Sequence, residues 1–72
     1  MEYVKVRYPM KRDVYIDGQQ SGSTNEVLIV EVGHHSFTLG TPADYTPRQI
    51  DMLVSGTTAE FPAMVVFTPV HG

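Results

Sequence analysis

The feature that most restricts this chain is a period of two. In Glu2–Tyr8, the residues Val4, Val6 and Tyr8 alternate with Tyr3, Lys5 and Arg7. Successive side chains of a strand point to opposite faces, so the pattern predicts a half-buried strand with a basic outer face. Pro9 ends it, because proline has no N–H to give to a ladder. Arg12–Asp17 repeats the pattern, with Val14 and Ile16 on one face and Asp13, Tyr15 and Asp17 on the other. Asp17-Gly18 then reads as a tight turn, since glycine takes positive φ at no steric cost.

The same reading runs on to the C-terminus. Gln19–Asn25 is polar or glycine throughout and reads as a loop. Val27–Val32 is β-branched and apolar on both faces, which predicts a central strand covered on both sides. His34–Leu39 places Phe37 and Leu39 on one face, and the break at Gly33 predicts a β-hairpin joining these two runs. Gly40, Pro42 and Pro47 mark a connection. Arg48–Ser55 is ambiguous. Ile50, Met52 and Val54 alternate as in a strand, the preferred reading. The alternative is a short helix with Thr46 as its cap and Pro47 at its first position. In Thr58–Thr68, Phe61, Ala63, Val65 and Phe67 alternate against Met64 and Val66, and Pro62 argues for an edge strand or a break near its start.

Turn residues recurring about every ten positions predict an all-β fold, a small antiparallel β-sandwich or open barrel of five to six short strands. The expected core is Val4, Val6, Val14, Ile16, Leu28, Val30, Phe37, Leu39, Ile50, Val54, Val65 and Phe67, with Tyr8 and Tyr45 also inside. Residues 1–72 form a single domain, with 69–72 a C-terminal tail.

Composition narrows the function. Seventy-two residues are too few for a nucleotide-binding sheet, a barrel enzyme or a two-domain cleft. No Cys means no disulfide, no thiolate nucleophile and no thiolate zinc site. A hydrophobic share of 42% is enough for a core and argues against general disorder. The longest apolar runs, Val27–Val30 and Ala63–Phe67, fall far short of the roughly 20 residues of a spanning helix, and the N-terminus lacks a signal-peptide pattern. The chain thus reads as soluble, with its compartment open.

A sequence of residues stands in a familiar order: Pro9, then Val14-Tyr15-Ile16-Asp17-Gly18, Gly22 with Thr24, Leu28 and Val30, Gly33-His34, Phe37 and Leu39, Asp44-Tyr45, and Gly56-Thr57-Thr58. Over about residues 2–68 this resembles the PEGA domain, a β-strand module of bacterial and archaeal proteins. The family's name-giving tetrad stands here as Pro9-Met10-Lys11-Arg12, and its Gly-x-Thr-Pro loop as Gly22-Ser23-Thr24-Asn25. The resemblance implies a scaffolding or signalling-associated module, and it carries no catalytic residues over to this chain.

Chemical motifs are sparse. His34 and His35 are adjacent, so strand geometry sends them to opposite faces and they cannot easily share a metal ion. The expectation is that His34 is a turn residue and that His35 packs beside Phe37. Ser21, Ser23, Ser36 and Ser55 lie in no nucleophile-elbow pattern, and Gly18–Gly22 lacks the Lys-Ser/Thr of a phosphate loop. No catalytic residue, metal ligand or cofactor site is expected.

Charge is more informative. Lys5, Arg7, Lys11 and Arg12 are four of the five basic residues, so positions 1–12 carry +3 and the remainder -6, within a net charge of -3. Tyr3, Lys5 and Arg7 share the outer face of the first strand, and Tyr15 is outward on the second. These four residues are the expected partner-binding surface, since tyrosine offers rigid area with a polar handle. A protein partner or self-association is expected. Nucleic acid is disfavoured by the acidic balance, and carbohydrate is a weaker possibility. The expected function is a non-enzymatic structural or protein-interaction module, working through strand faces or edges in a homo-oligomer or larger assembly. The alternatives are a small stand-alone viral or mobile-element decoration protein or inhibitor, and a carbohydrate or surface-layer accessory domain.

Overall fold

In the computed structural model, which describes residues 1–70, the alternation of the first segment becomes strand β1 (Glu2–Arg7). The remaining strands are β2 (Asp13–Ile16), β3 (Gln19–Ser23), β4 (Val27–Val30), β5 (Gly33–Thr38), β6 (Tyr45–Thr46), β7 (Ile50–Val54), β8 (Ala63–Val66) and β9 (Thr68–Pro69). The described residues are all-β, with no helix. They include no helix long and apolar enough to cross a membrane. Three strands form one sheet in the order β4-β1-β8, and four form a second in the order β3-β2-β5-β7. A short ribbon pairs β6 with β9.

The inward residues of both large sheets meet in one core. Val4, Val6, Leu28, Val30 and Val65 enter it from the first sheet; Val14, Ile16, Phe37 and Val54 enter from the second. Leu39, Phe67, Tyr8 and Tyr45 complete it, while Ile50 packs against it partly buried. The period of two placed these residues correctly because the sheets are covered on one face only, which ties the hydrophobic period to the pleat.

Several local expectations are overturned. The run Val27–Val32 is not a central strand: β4 lies at an edge, paired only with β1. It also makes no hairpin with β5, which pairs with β2 and β7 in the other sheet. The link through Gly33, at φ +133°, instead carries the chain from one sheet to the other. The apolar residues on the second face of β4 are therefore exposed. His34 is within β5 and not in a turn. Gln19–Ser23 is a strand and not a loop. An edge strand is held by its backbone ladder and needs few apolar side chains, so its polar sequence gave no signal. It joins β2 through Asp17-Gly18, both at positive φ (53° and 82°), which matches a two-residue primed turn.

Phe61 leaves the expected alternation. Thr58 and Phe61 exchange backbone hydrogen bonds (3.2 and 3.1 Å), and this tight turn leaves the ring 80% exposed. The strand resumes after Pro62, as β8 at the sheet edge. β8 runs parallel to β1, the one parallel pair among the described strands. Arg48–Ser55 follows its preferred reading, as β7. Pro69, expected to open a tail, pairs with Tyr45 in β9, and residues 71 and 72 (His71 with them) lie outside the described residues.

Polar side chains fasten the connections. Thr24 is buried; its hydroxyl accepts from Arg12 N (2.9 Å) and donates to Met10 O (2.8 Å). Asn25, at φ 65°, donates from its amide to Tyr8 O (2.8 Å) and accepts from Tyr8 N (3.3 Å). Glu2 accepts from the Thr57 backbone (2.8 Å) and hydroxyl (2.6 Å), while Thr57 Oγ1 accepts from Tyr3 N (2.7 Å). These bonds hold the Glu2 carboxyl below its ordinary pKa.

The Arg12 guanidinium pairs with Asp44, donates to Leu39 O (3.3 Å) and Pro42 O (2.7 Å), and stacks over Tyr45 and Tyr8 (5.1 and 5.9 Å to the ring centroids). Lysine keeps the charge but not the planar fork. Arg12→Lys is therefore expected to lower unfolding free energy by about 1–3 kcal/mol, the scale of charge-assisted bonds lost at a partly buried site, measured by urea denaturation. Gly40 has φ +72°, and a Cβ there would lie 2.5 Å from Tyr15 Cε1. Gly40→Ala is expected to cost about 1–3 kcal/mol through both the left-handed backbone and the displaced ring. An unchanged thermal midpoint would show that this approach is not tight.

Candidate functional site

The outer face of the three-stranded sheet is built by the pattern that builds the core, read one residue out of step. Val4 and Val6 point in, so Tyr3, Lys5 and Arg7 point out along the middle strand. Register places Ile29 beside Tyr3 and Val27 beside Lys5 on one flank. On the other flank Met64 stands beside Lys5 and Val66 beside Arg7. The result is a strip of two cations and a tyrosine between two apolar rows. Nothing in the described chain covers the rows: Ile29 is 57% exposed and Val66 55%. Both flanking strands are also sheet edges.

At the Arg7 end the face deepens into an open concavity of about 640 Å³, lined by Arg7, Tyr8, Pro9, Asn25, Met64 and Val66. Its walls are mostly apolar, and Arg7 is its cation. Among the described residues the ion pairs are Arg12–Asp44 and His35–Asp17. Lys5 and Arg7 therefore have no ion-pair partner among the described residues. Arg12, grouped with them by sequence, is engaged as a structural clamp.

Three of the four expected contact residues, Tyr3, Lys5 and Arg7, thus come together. Tyr15 does not join them. It belongs to β2 in the other sheet, faces away from the core beside Thr38, and rests against Gly40. The apolar members of the site, Val27, Ile29, Met64 and Val66, were outside the expected core but were not among the expected contact residues. A β-branched run that is apolar on both faces reads the same whether its second face is covered by the same chain or left open.

Besides the Arg12 clamp, a cluster of titratable side chains away from this face centres on His35. Its Nδ1 lies 2.7 Å from Asp17 Oδ2, and its Nε2 lies 2.6 Å from Glu31 O. A carbonyl accepts only, so Nε2 carries a proton; a proton on Nδ1 as well completes the ion pair with the carboxylate. The bond to Asp17, followed by that to the Glu31 carbonyl, holds the imidazole above its ordinary pKa. The Ser36 N–H (2.9 Å) and then His35 hold the Asp17 carboxyl below its own. The His35 ring also tilts toward Phe37, at 6.3 Å between centroids. His34, one residue away, is exposed on the opposite face. Among the described residues, no group of three His, Asp or Glu side chains is placed to hold a metal ion.

The chain matches no family model, no curated protein and no solved structure.

The His35–Asp17 pair predicts a signed pH dependence. A raised histidine pKa contributes stability that is complete below the unfolded-state value of about 6.5 and is lost as pH rises through the folded value. Unfolding midpoints are therefore expected to fall across that window. Asp17→Asn should bring the His35 titration, followed by NMR, back toward the ordinary value. An identical titration in wild type and variant would remove the ion pair from the account.

Proposed function

We propose that this chain is a non-enzymatic protein-interaction module whose contact surface is the outer face of the β4-β1-β8 sheet. The observation that carries the reading is the pairing of uncovered apolar rows with two cations that have no ion-pair partner among the described residues. Exposed contiguous apolar surface marks association, and unpaired cations select an acidic partner and steer its approach. The PEGA resemblance of the sequence, with its scaffolding modules, points the same way.

The rival chemistries have less support. Tyr3 and Tyr15 sit on opposite sheets, so they cannot stack on one sugar ring as a shared platform. Only two cations lie on the exposed face, within a chain of net charge -3, which is poor footing for a phosphate backbone.

Lys5→Glu combined with Arg7→Glu tests the surface. Both side chains point away from the core, so circular dichroism and thermal midpoint should stay close to wild type. Binding through this face should weaken about tenfold or more, seen in solution mass by light scattering or in capture of an acidic partner. If mass and capture are both unchanged, the face is not the contact surface.

A further inference from the structure

We infer that copies of this chain associate head to tail, with the outer face of the three-stranded sheet of one copy seated on the outer face of the four-stranded sheet of the next. The inference rests on the reading of the first face as a contact surface and names its occupant as a second copy.

The argument is charge placement. In the strands of the three-stranded sheet the outward charges are Lys5 and Arg7. Glu2 falls in step with Val4 and Val6 and is held by Thr57. The strands of the four-stranded sheet contain no Lys or Arg. Val14 and Ile16 point inward, as do Ile50 and Val54, so the acids outward on its strands are Asp13 and Asp51. Asp17, at the turn, is taken up by His35. Because the core lies between the sheets, the basic and acidic faces look in opposite directions. One face complements the other, and neither complements itself. Packing the basic face on its own copy would bring Lys5 and Arg7 of both chains into one interface, where like charges oppose association.

Apolar shape agrees with charge. The acidic face carries Tyr15 and Leu53, the latter 57% exposed. Asp51 and Leu53 lie two positions apart on one face of β7, about 6.8 Å along a strand. In that arrangement Leu53 would sit at the concavity beside Met64 and Val66, and Asp51, whose Oδ1 already accepts from Ser36 (2.6 Å) and Gln49 (2.8 Å), would offer its second carboxylate oxygen to Arg7 at the rim. A stable interface covers about 800 Å² per partner, about a sixth of this chain's 4577 Å². Contacts made by two different faces are heterologous and cannot stop at a symmetric dimer; with the faces looking in opposite directions, copies extend into an open linear assembly.

Solution mass decides the matter. The wild-type weight-average mass should rise with protein concentration past twice 8.0 kDa. It should fall toward the monomer in about 0.5 M NaCl, where screening reaches within a few ångströms. Lys5→Glu/Arg7→Glu and Asp13→Lys/Asp51→Lys should each be monomeric alone. Mixed one to one, they should assemble again, because each supplies the face the other has lost. Recovery on mixing also shows that both variants are folded. A wild type that stays monomeric, one that levels off as a dimer, or a mixture that fails to assemble would overturn the head-to-tail arrangement. A monomeric wild type whose binding to an acidic partner is still lost in Lys5→Glu/Arg7→Glu would overturn this inference alone and leave the contact face standing.

Discussion

Arg12 is the point on which the separate pieces of this fold depend. Its backbone is fixed to Thr24 in the β3–β4 connection, and its side chain reaches the carbonyls of Leu39 and Pro42 and the carboxylate of Asp44. The same guanidinium lies over Tyr8, which ends the first strand segment, and Tyr45, which plugs the core edge-on against Phe67 at 5.4 Å. One planar cation therefore joins the exit from the first sheet, the loop that returns to it and the segment leading to the small ribbon. Tyr45 adds a second tie, accepting from Leu39 N (3.2 Å) and donating to Gly40 O (3.0 Å). In a chain without disulfides, such fixed connections do the work of a covalent staple by limiting how far the two sheets can separate.

That arrangement leaves the sheets with unequal outer surfaces. Each sheet spends its inward residues on the shared core, and none of the described residues lays a further layer over the outer face of the three-stranded sheet. The four-stranded sheet meets solvent with a largely polar face, as an exposed antiparallel sheet ordinarily does. The three-stranded sheet meets solvent with Val27, Ile29, Met64 and Val66 around its cations. Exposing four apolar residues in two rows is unfavourable for an isolated molecule, and it becomes favourable when a second surface excludes water from them.

The contrast between what was legible and what was not follows from range. Alternation is a local property, so Val4 and Val6, Val14 and Ile16, and Phe37 and Leu39 could be assigned inward from their neighbours alone. The Asp17-Gly18 turn was equally local. Sheet membership is not local. Nothing near Gly33 distinguishes a hairpin from a crossover, because both need two strands and a flexible link. The error over β4 followed from that, and with it the absence of Val27 and Ile29 from the expected contact residues. Lys5 and Arg7 were legible as outward residues, but Arg12 could not be separated from them, because its acceptors lie about thirty positions away and two of them are backbone carbonyls. The polar edge strand β3 gave no signal because its order comes from the ladder to β2 and not from burial.

The His35–Asp17 pair connects this packing to the charge on the surface. While the imidazole is protonated, Asp17 is neutralised locally, and the acidic face presents Asp13 and Asp51. When pH rises through the folded-state value of His35, the Asp17 carboxylate is left without its counter-ion at the Asp17-Gly18 turn. The same step removes the proton that ties the ring to either Asp17 or the Glu31 carbonyl, so the turn at Asp17-Gly18 is held less firmly. The cost of that titration therefore falls on the fold itself, at the corner where the β2–β3 turn meets β5.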